Sequence, residues 1–143
     1  LAKGGEGMTP IAGLGTVDQH SQLQLYLDGP KDKMFTFLAP RYGGVGAKID
    51  NELSRKIGLD YAKDCTVGDL MDAAHQATHS SLVSKDHPTR LLTINELDEA
   101  TLGALMMHYM LETVMVARLL DVNPFNQPAV EDGKLRAQEY LKA

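Results

Sequence analysis

Two short apolar runs, separated by a helix-length segment, limit the folds open to this chain more than any other feature. "KMFTFLAP", residues 33–40, is an aromatic run stopped by a proline and reads as a strand. "RLLTINEL", residues 90–97, reads as a second strand, apolar enough to be buried on both faces of a sheet. Between them, "TVGDLMDAAHQATHSSLVSKDHP" has a helical pattern. Thr66 is its candidate N-cap, Leu70, Ala73, Ala74, Ala77 and Leu82 form its apolar side, and His87-Pro88 closes it. Strand, helix and strand in that order predict an α/β domain of three layers on a parallel sheet. Two strands are few for such a sheet, and the shortfall fits a chain whose other strands lie upstream.

The remaining segments follow the same punctuation. Thr9 and Pro10 read as the cap and first residue of a short helix that Gly13 and Gly15 end. In "TVDQHSQLQLYLDGP", Leu23, Leu25 and Leu27 alternate with polar neighbours as in a strand, yet the length and the Leu and Gln content suit a helix; both remain open at this level. "RYGGVGAKIDNEL" reads as a loop passing into a polar turn. "DEATLGALMMHYMLETVMVARLLDV" is the longest helix, almost apolar throughout, with Asp98 and Glu99 in its first turn. Such a helix is central or faces another subunit. A last helix starts near Gln127 and carries Lys134. There is no internal repeat and no low-complexity segment.

Composition excludes several classes. The 143 residues suit a single compact domain, with 43% hydrophobic and 23% charged residues, far from a disordered composition. A net charge of −5 without a Lys/Arg cluster argues against nucleic-acid binding. The single cysteine, Cys65, rules out an internal disulfide and fits a reducing cytoplasm. No apolar run is read as a membrane span, and "LAKGGEGMTP" lacks the order of a signal peptide. Beginning at Leu1 and running straight into "KGGEG", the chain reads as a fragment of a larger protein.

Most groups capable of chemistry have a structural explanation. His75 and His79 have the spacing of a metal pair but no third ligand nearby, so a metal-free, exposed or half-buried pair is expected. His108 among Met106, Met107 and Met110 reads as a packed histidine with one hydrogen bond, and these methionines with Met115 as core. His87 reads as a turn residue. "GGVGAK" lacks the spacing of a phosphate loop and reads as a mobile loop. The carboxylate of Asp64 directly before Cys65 opposes a nucleophilic thiolate. Two features stand apart. His20 has polar neighbours on both sides, where a core histidine would have apolar ones. Gln127, Glu131 and Lys134, four and then three apart after Pro128, share one helical face. That face is either a solvated one or the wall of a site.

Together, "TVDQHSQLQLY", "FNQPAVEDGK" and "TINELDEATLGALMMHYMLETVMVARLLDVNPF" resemble the C-terminal third of glucose-6-phosphate isomerases, the phosphoglucose isomerase family. The family's C-terminal signature is met from Ala117 through Phe125, Asn126, Gln127, Ala129, Val130 and Glu131 to Lys134. The resemblance covers essentially the whole chain, making residues 1–143 the C-terminal part of a SIS-like sugar-isomerase domain. It implies an aldose–ketose isomerase acting on glucose 6-phosphate and fructose 6-phosphate in glycolysis and gluconeogenesis. It further implies a cytoplasmic homodimer that needs no metal or other cofactor. His20, contributed by the neighbouring subunit, would assist opening of the sugar ring. Lys134 would act on the ring oxygen and nearby hydroxyls, and Gln127 would line the pocket. The resemblance also makes the segment around His20 helical.

The chemistry suits those roles. Ring opening takes a proton off one hydroxyl and delivers one to the ring oxygen. A histidine, with an ordinary pKa of about 6.5, serves in either form at neutral pH. A lysine ammonium supplies a donor where negative charge develops. The family's enediol step uses a glutamate whose motif would fall just before Leu1, and its phosphate-gripping residues fall further upstream; Glu6 does not match that pattern. The segment alone is therefore expected to be inactive. Two rivals are a noncatalytic sugar-phosphate-binding regulatory module and a structural or interface domain. Retention of both His20 and Lys134 argues against the first, and only the 98–120 helix speaks for the second.

Overall fold

The structure, a computed structural model, describes residues 2–142. The chain begins with β1 (Ala2–Lys3), β2 (Glu6–Gly7), α1 (Val17–Ser21), α2 (Leu23–Asp28) and β3 (Phe35–Pro40). Then follow α3 (Asn51–Lys56), a 3-10 turn (Asp60–Ala62), α4 (Val67–Ser84), β4 (Thr89–Ile94), α5 (Glu99–Leu119) and α6 (Pro128–Tyr140). Contacts divide the chain into two compact units, Ala12–Thr101 and Leu1–Ile11 with Leu102–Ala143.

In the unit Ala12–Thr101, β3 and β4 pair in parallel from Phe35↔Thr89 to Pro40↔Ile94, with α4 in the connection between them. The architecture is α/β on a parallel sheet, as the alternation predicts. Pleating turns Phe35, Phe37 and Ala39 to the covered side, where Ala39 is buried. Phe37 lies edge-on to His75 and His79 of α4, and Phe35 edge-on to His87 and to Tyr26 of α2. Each side of the pair stays partly open, with Leu38 46% exposed on one and Leu91, the partner of Phe37, 45% exposed on the other, which corrects the expectation that the second strand is buried on both faces.

α4 starts where the sequence places it because Thr66 and Asp69 cap it reciprocally. The Asp69 N–H donates to Thr66 Oγ1 at 3.2 Å, and the Thr66 N–H to Asp69 Oδ2 at 2.7 Å. The other Asp69 oxygen accepts the Gly44 N–H at 3.0 Å, and Asp72 accepts the Tyr42 N–H at 3.1 Å. The loop read as mobile is thus fastened to the start of α4. Gly68 makes this approach possible, since a Cβ there would sit 1.9 Å from the Tyr42 carbonyl oxygen. The buried side of α4 differs from the one read off the sequence: Leu82 is buried but Ala73 and Ala77 are exposed, and His75, Thr78 and His79 turn inward instead.

Other expectations change in detail. Residues 8–14 contain no helix; with Gly13 and Gly15 so close to the cap, the backbone cost of ordering them is not recovered. α3 occupies part of the polar turn, its N-terminus capped by Asp50, which accepts the Leu53 N–H at 2.7 Å. The alternating leucines at 23, 25 and 27 lie in a helix, as the resemblance implied and the period-two count did not. In the other unit, the "KGG" run forms a hairpin. Gly4 and Gly5 have φ of 61° and 86°, the left-handed pair a two-residue turn of this kind requires.

α5 departs most from expectation. Its methionines are not core: Met106, Met107, Met110 and Met115 are 54–66% exposed, because no described element packs on them. His108 is likewise exposed, 3.6 Å from Glu112, rather than packed. With 21 residues and a mean hydropathy of 1.3, α5 is long and apolar enough to cross a membrane, contrary to the reading of the sequence. The ionisable pair His108 and Glu112 at its middle would be costly in hydrocarbon, so this one helix is weak evidence for a span.

Candidate active site

α6 begins at Pro128, whose missing N–H is no loss at a first helical position, and Gln127 is its N-cap residue. Gln127 makes no capping bond with its side chain, which is left for other partners. One turn on, Glu131 accepts a hydrogen bond from Lys134 Nζ at 2.6 Å, with the two side chains 63% and 62% exposed. Exposed pairs of this spacing are worth about 0.2–0.5 kcal/mol, so the ammonium can leave Glu131 for a ligand at little cost. The structure brings Gln127, Glu131 and Lys134 together along one helix, as the spacing predicts.

The loop leading to that face is tied from a distant part of the sequence. Lys3 Nζ donates to the main-chain carbonyls of Asn123 and Asn126, and to Asn126 Oδ1 at 2.6 Å. The Phe125 N–H donates to Asn123 Oδ1 at 2.8 Å. Sequence reasoning missed Lys3. A charged residue beside two turn-forming glycines is the only local sign of it.

His20 belongs to the other unit, in the last turn of α1, and is exposed. Its neighbour Gln19 reaches α4, donating to Thr78 Oγ1 at 2.6 Å and to the Ala74 carbonyl at 3.3 Å. Asp18 accepts from Gln22 Nε2 at 3.0 Å and from the Leu14 N–H. The polar residues around His20 therefore anchor a very short helix. The histidine itself is turned outward.

The remaining candidates have structural partners. His75 and His79 are half-buried against Phe37, and the His79 ring lies 3.4 Å from Thr89 Oγ1. Burial, and then the neighbouring His79 charge, lower the His75 pKa below its ordinary value, with Asp72 acting in the opposite direction. His87 is buried at 5% exposure rather than lying on an open turn. No group of three metal-binding side chains occurs among the described residues. Two surface depressions, of about 320 Å³ beside Arg118 and Phe125 and about 510 Å³ beside Arg55 and Lys63, include none of His20, Gln127 and Lys134.

Fold and site together define an α/β protein with a parallel strand–helix–strand unit and an exposed helical face bearing an amide, a carboxylate and an ammonium. Comparison with known proteins shows what a chain of that class is similar to. The chain is 41% identical over 141 residues to a probable glucose-6-phosphate isomerase of Haloquadratum walsbyi, covering 99% of this chain and 32% of that protein. It is 36% identical to the glucose-6-phosphate isomerase of Methanocaldococcus jannaschii over 99% of its length, and 39% identical to that of Rubrobacter xylanophilus over 94%. A crystal structure of a hypothetical protein from Thermus thermophilus superposes with a TM-score of 0.84 at 30% identity, covering 96% of this chain and 33% of that one. No family model matches. The resemblance read from the sequence is borne out: nearly the whole chain is similar to a part of proteins named glucose-6-phosphate isomerase, and it spans about a third of their length.

Proposed function

We propose that this chain is the C-terminal part of an aldose–ketose isomerase that interconverts glucose 6-phosphate and fructose 6-phosphate. The observation that carries the reading is the α6 face, where Gln127 and Lys134 stand at the positions of the family signature that the sequence resembles. The fold is a three-layer sugar-isomerase domain of SIS type, completed by the rest of the protein. The enzyme works in the cytoplasm as a homodimer without a metal.

The roles follow from the chemistry of ring opening. His20, contributed across the dimer, handles the proton of the anomeric hydroxyl, because an imidazole is both a competent base and a competent acid near neutrality. Lys134 leaves Glu131 and donates to the ring oxygen as the C–O bond breaks, where negative charge develops. Gln127 hydrogen-bonds a hydroxyl without adding charge. Transfer of the proton between C2 and C1 through an enediol requires a further base, which none of these three residues supplies. We therefore propose that the 143-residue segment by itself does not isomerise sugar phosphates.

The test is fructose 6-phosphate isomerisation by the intact protein and its Lys134→Ala variant. Loss of activity by about a hundredfold or more in the variant is expected. An inactive intact protein, or a variant that keeps its rate, would leave α6 an ordinary solvated helix.

A further inference from the structure

We propose that Lys3 is a positioning residue: its ammonium latches the 123–126 loop and so sets the direction in which α6 presents Gln127 and Lys134. The inference rests on the functional reading above. A lysine ammonium has three N–H bonds to give. Here three oxygens take them, the main-chain carbonyls of Asn123 and Asn126 and the side-chain Oδ1 of Asn126. Lys3 is therefore fully engaged with protein and does not act on a substrate directly.

Both ends of this link are built to hold still. On one side, the β1–β2 hairpin pairs Lys3 with Glu6 across the Gly4-Gly5 turn and fixes its backbone. On the other, the loop is closed on itself by the bond from the Phe125 N–H to Asn123 Oδ1, and Gln127 follows directly. α6 has no buried residue. Its direction therefore comes from the segment that leads into it, and Lys3 is what holds that segment from outside. Without the ammonium the three exposed oxygens are satisfied by water, so little stability is lost, but the loop is no longer fixed.

The experiment compares the intact protein with its Lys3→Met and Lys3→Arg variants. Hydrogen exchange at the Phe125 and Val130 amides is expected to quicken several-fold in Lys3→Met, with the thermal midpoint almost unmoved. With fructose 6-phosphate, kcat is expected to fall about tenfold or more while KM changes little, since small misplacement of catalytic groups has effects of that order. Lys3→Arg, which keeps the charge and the donors, is expected to recover part of the rate. Unchanged exchange overturns the latch. Quickened exchange with an unchanged kcat overturns the positioning role, leaving Lys3 a purely structural tie. An intact protein without isomerase activity overturns the functional reading instead, and this role with it. If Lys3→Met does not fold, Asn126→Ala, which removes one of the three oxygens, must lower kcat in the same direction or the proposal fails.

Discussion

Phe37 is gripped by two imidazoles, with ring centroids 5.4 Å away at His75 and 5.3 Å at His79. The grip has a consequence for pH. The His75 Nε2 is buried without a hydrogen-bond partner, and burial pushes its pKa down from the ordinary 6.5. Well above that value the ring is neutral in folded and unfolded chains alike, and nothing is lost. Below it the unfolded chain takes up a proton that the folded one resists, so stability falls as the pH drops toward the depressed folded value. An NMR titration should give a His75 midpoint below 6.5, and a thermal midpoint followed from pH 7.5 to 5.5 should fall less in His75→Gln than in the parent. A His75 midpoint at or above 6.5 would contradict the packing account. The sequence showed the spacing of these two histidines but not their use. Their partner Phe37 lies on a strand far upstream, and nothing local marks the two as neighbours. His20 was legible for the opposite reason, because its polar surroundings are all within a few residues.

Among the elements, α4 shows what local sequence can and cannot fix. Its cap was readable, since a Thr at the N-cap position with an acidic residue three places on is a self-contained signal. Thr66→Ala should lower the unfolding free energy by about 1 kcal/mol in a denaturant titration. Gly68 was not readable. In a helix interior, alanine in place of glycine ordinarily helps by about 1 kcal/mol. Here the added Cβ would meet the Tyr42 carbonyl oxygen at 1.9 Å and that of Val45 at 2.8 Å. Gly68→Ala is therefore expected to destabilise by about 1–3 kcal/mol, as overpacking does, and a neutral or stabilising result would mean the loop lies further from the helix. The same distinction explains the short elements. α1 is only five residues long and depends on Gln19 reaching Thr78, a contact no period count contains.

At the scale of the whole molecule, the described residues bury little. The buried apolar side chains among them are Ala39, Ala62, Leu82 and Ala117, and only Leu82 of these is large. The methionines of α5, with Leu119 at 85% and Phe125 at 83% exposure, stand in solvent, although the sequence places such residues in a core. The pattern was legible as apolar; what would cover it was not, since this chain spans about a third of the length of its relatives. The 143-residue segment should therefore raise the fluorescence of anilinonaphthalene sulfonate well above that of the intact protein at equal concentration. Equal fluorescence would mean that this surface stays open in both. The parallel pair adds one more consequence. β3 and β4 form a sheet of only two strands, so the outer side of each offers a row of unpaired amides and carbonyls to any extended peptide. Produced alone, the segment carries two templates on which another copy can add a strand, and its shelf life will be set by how fast copies find each other.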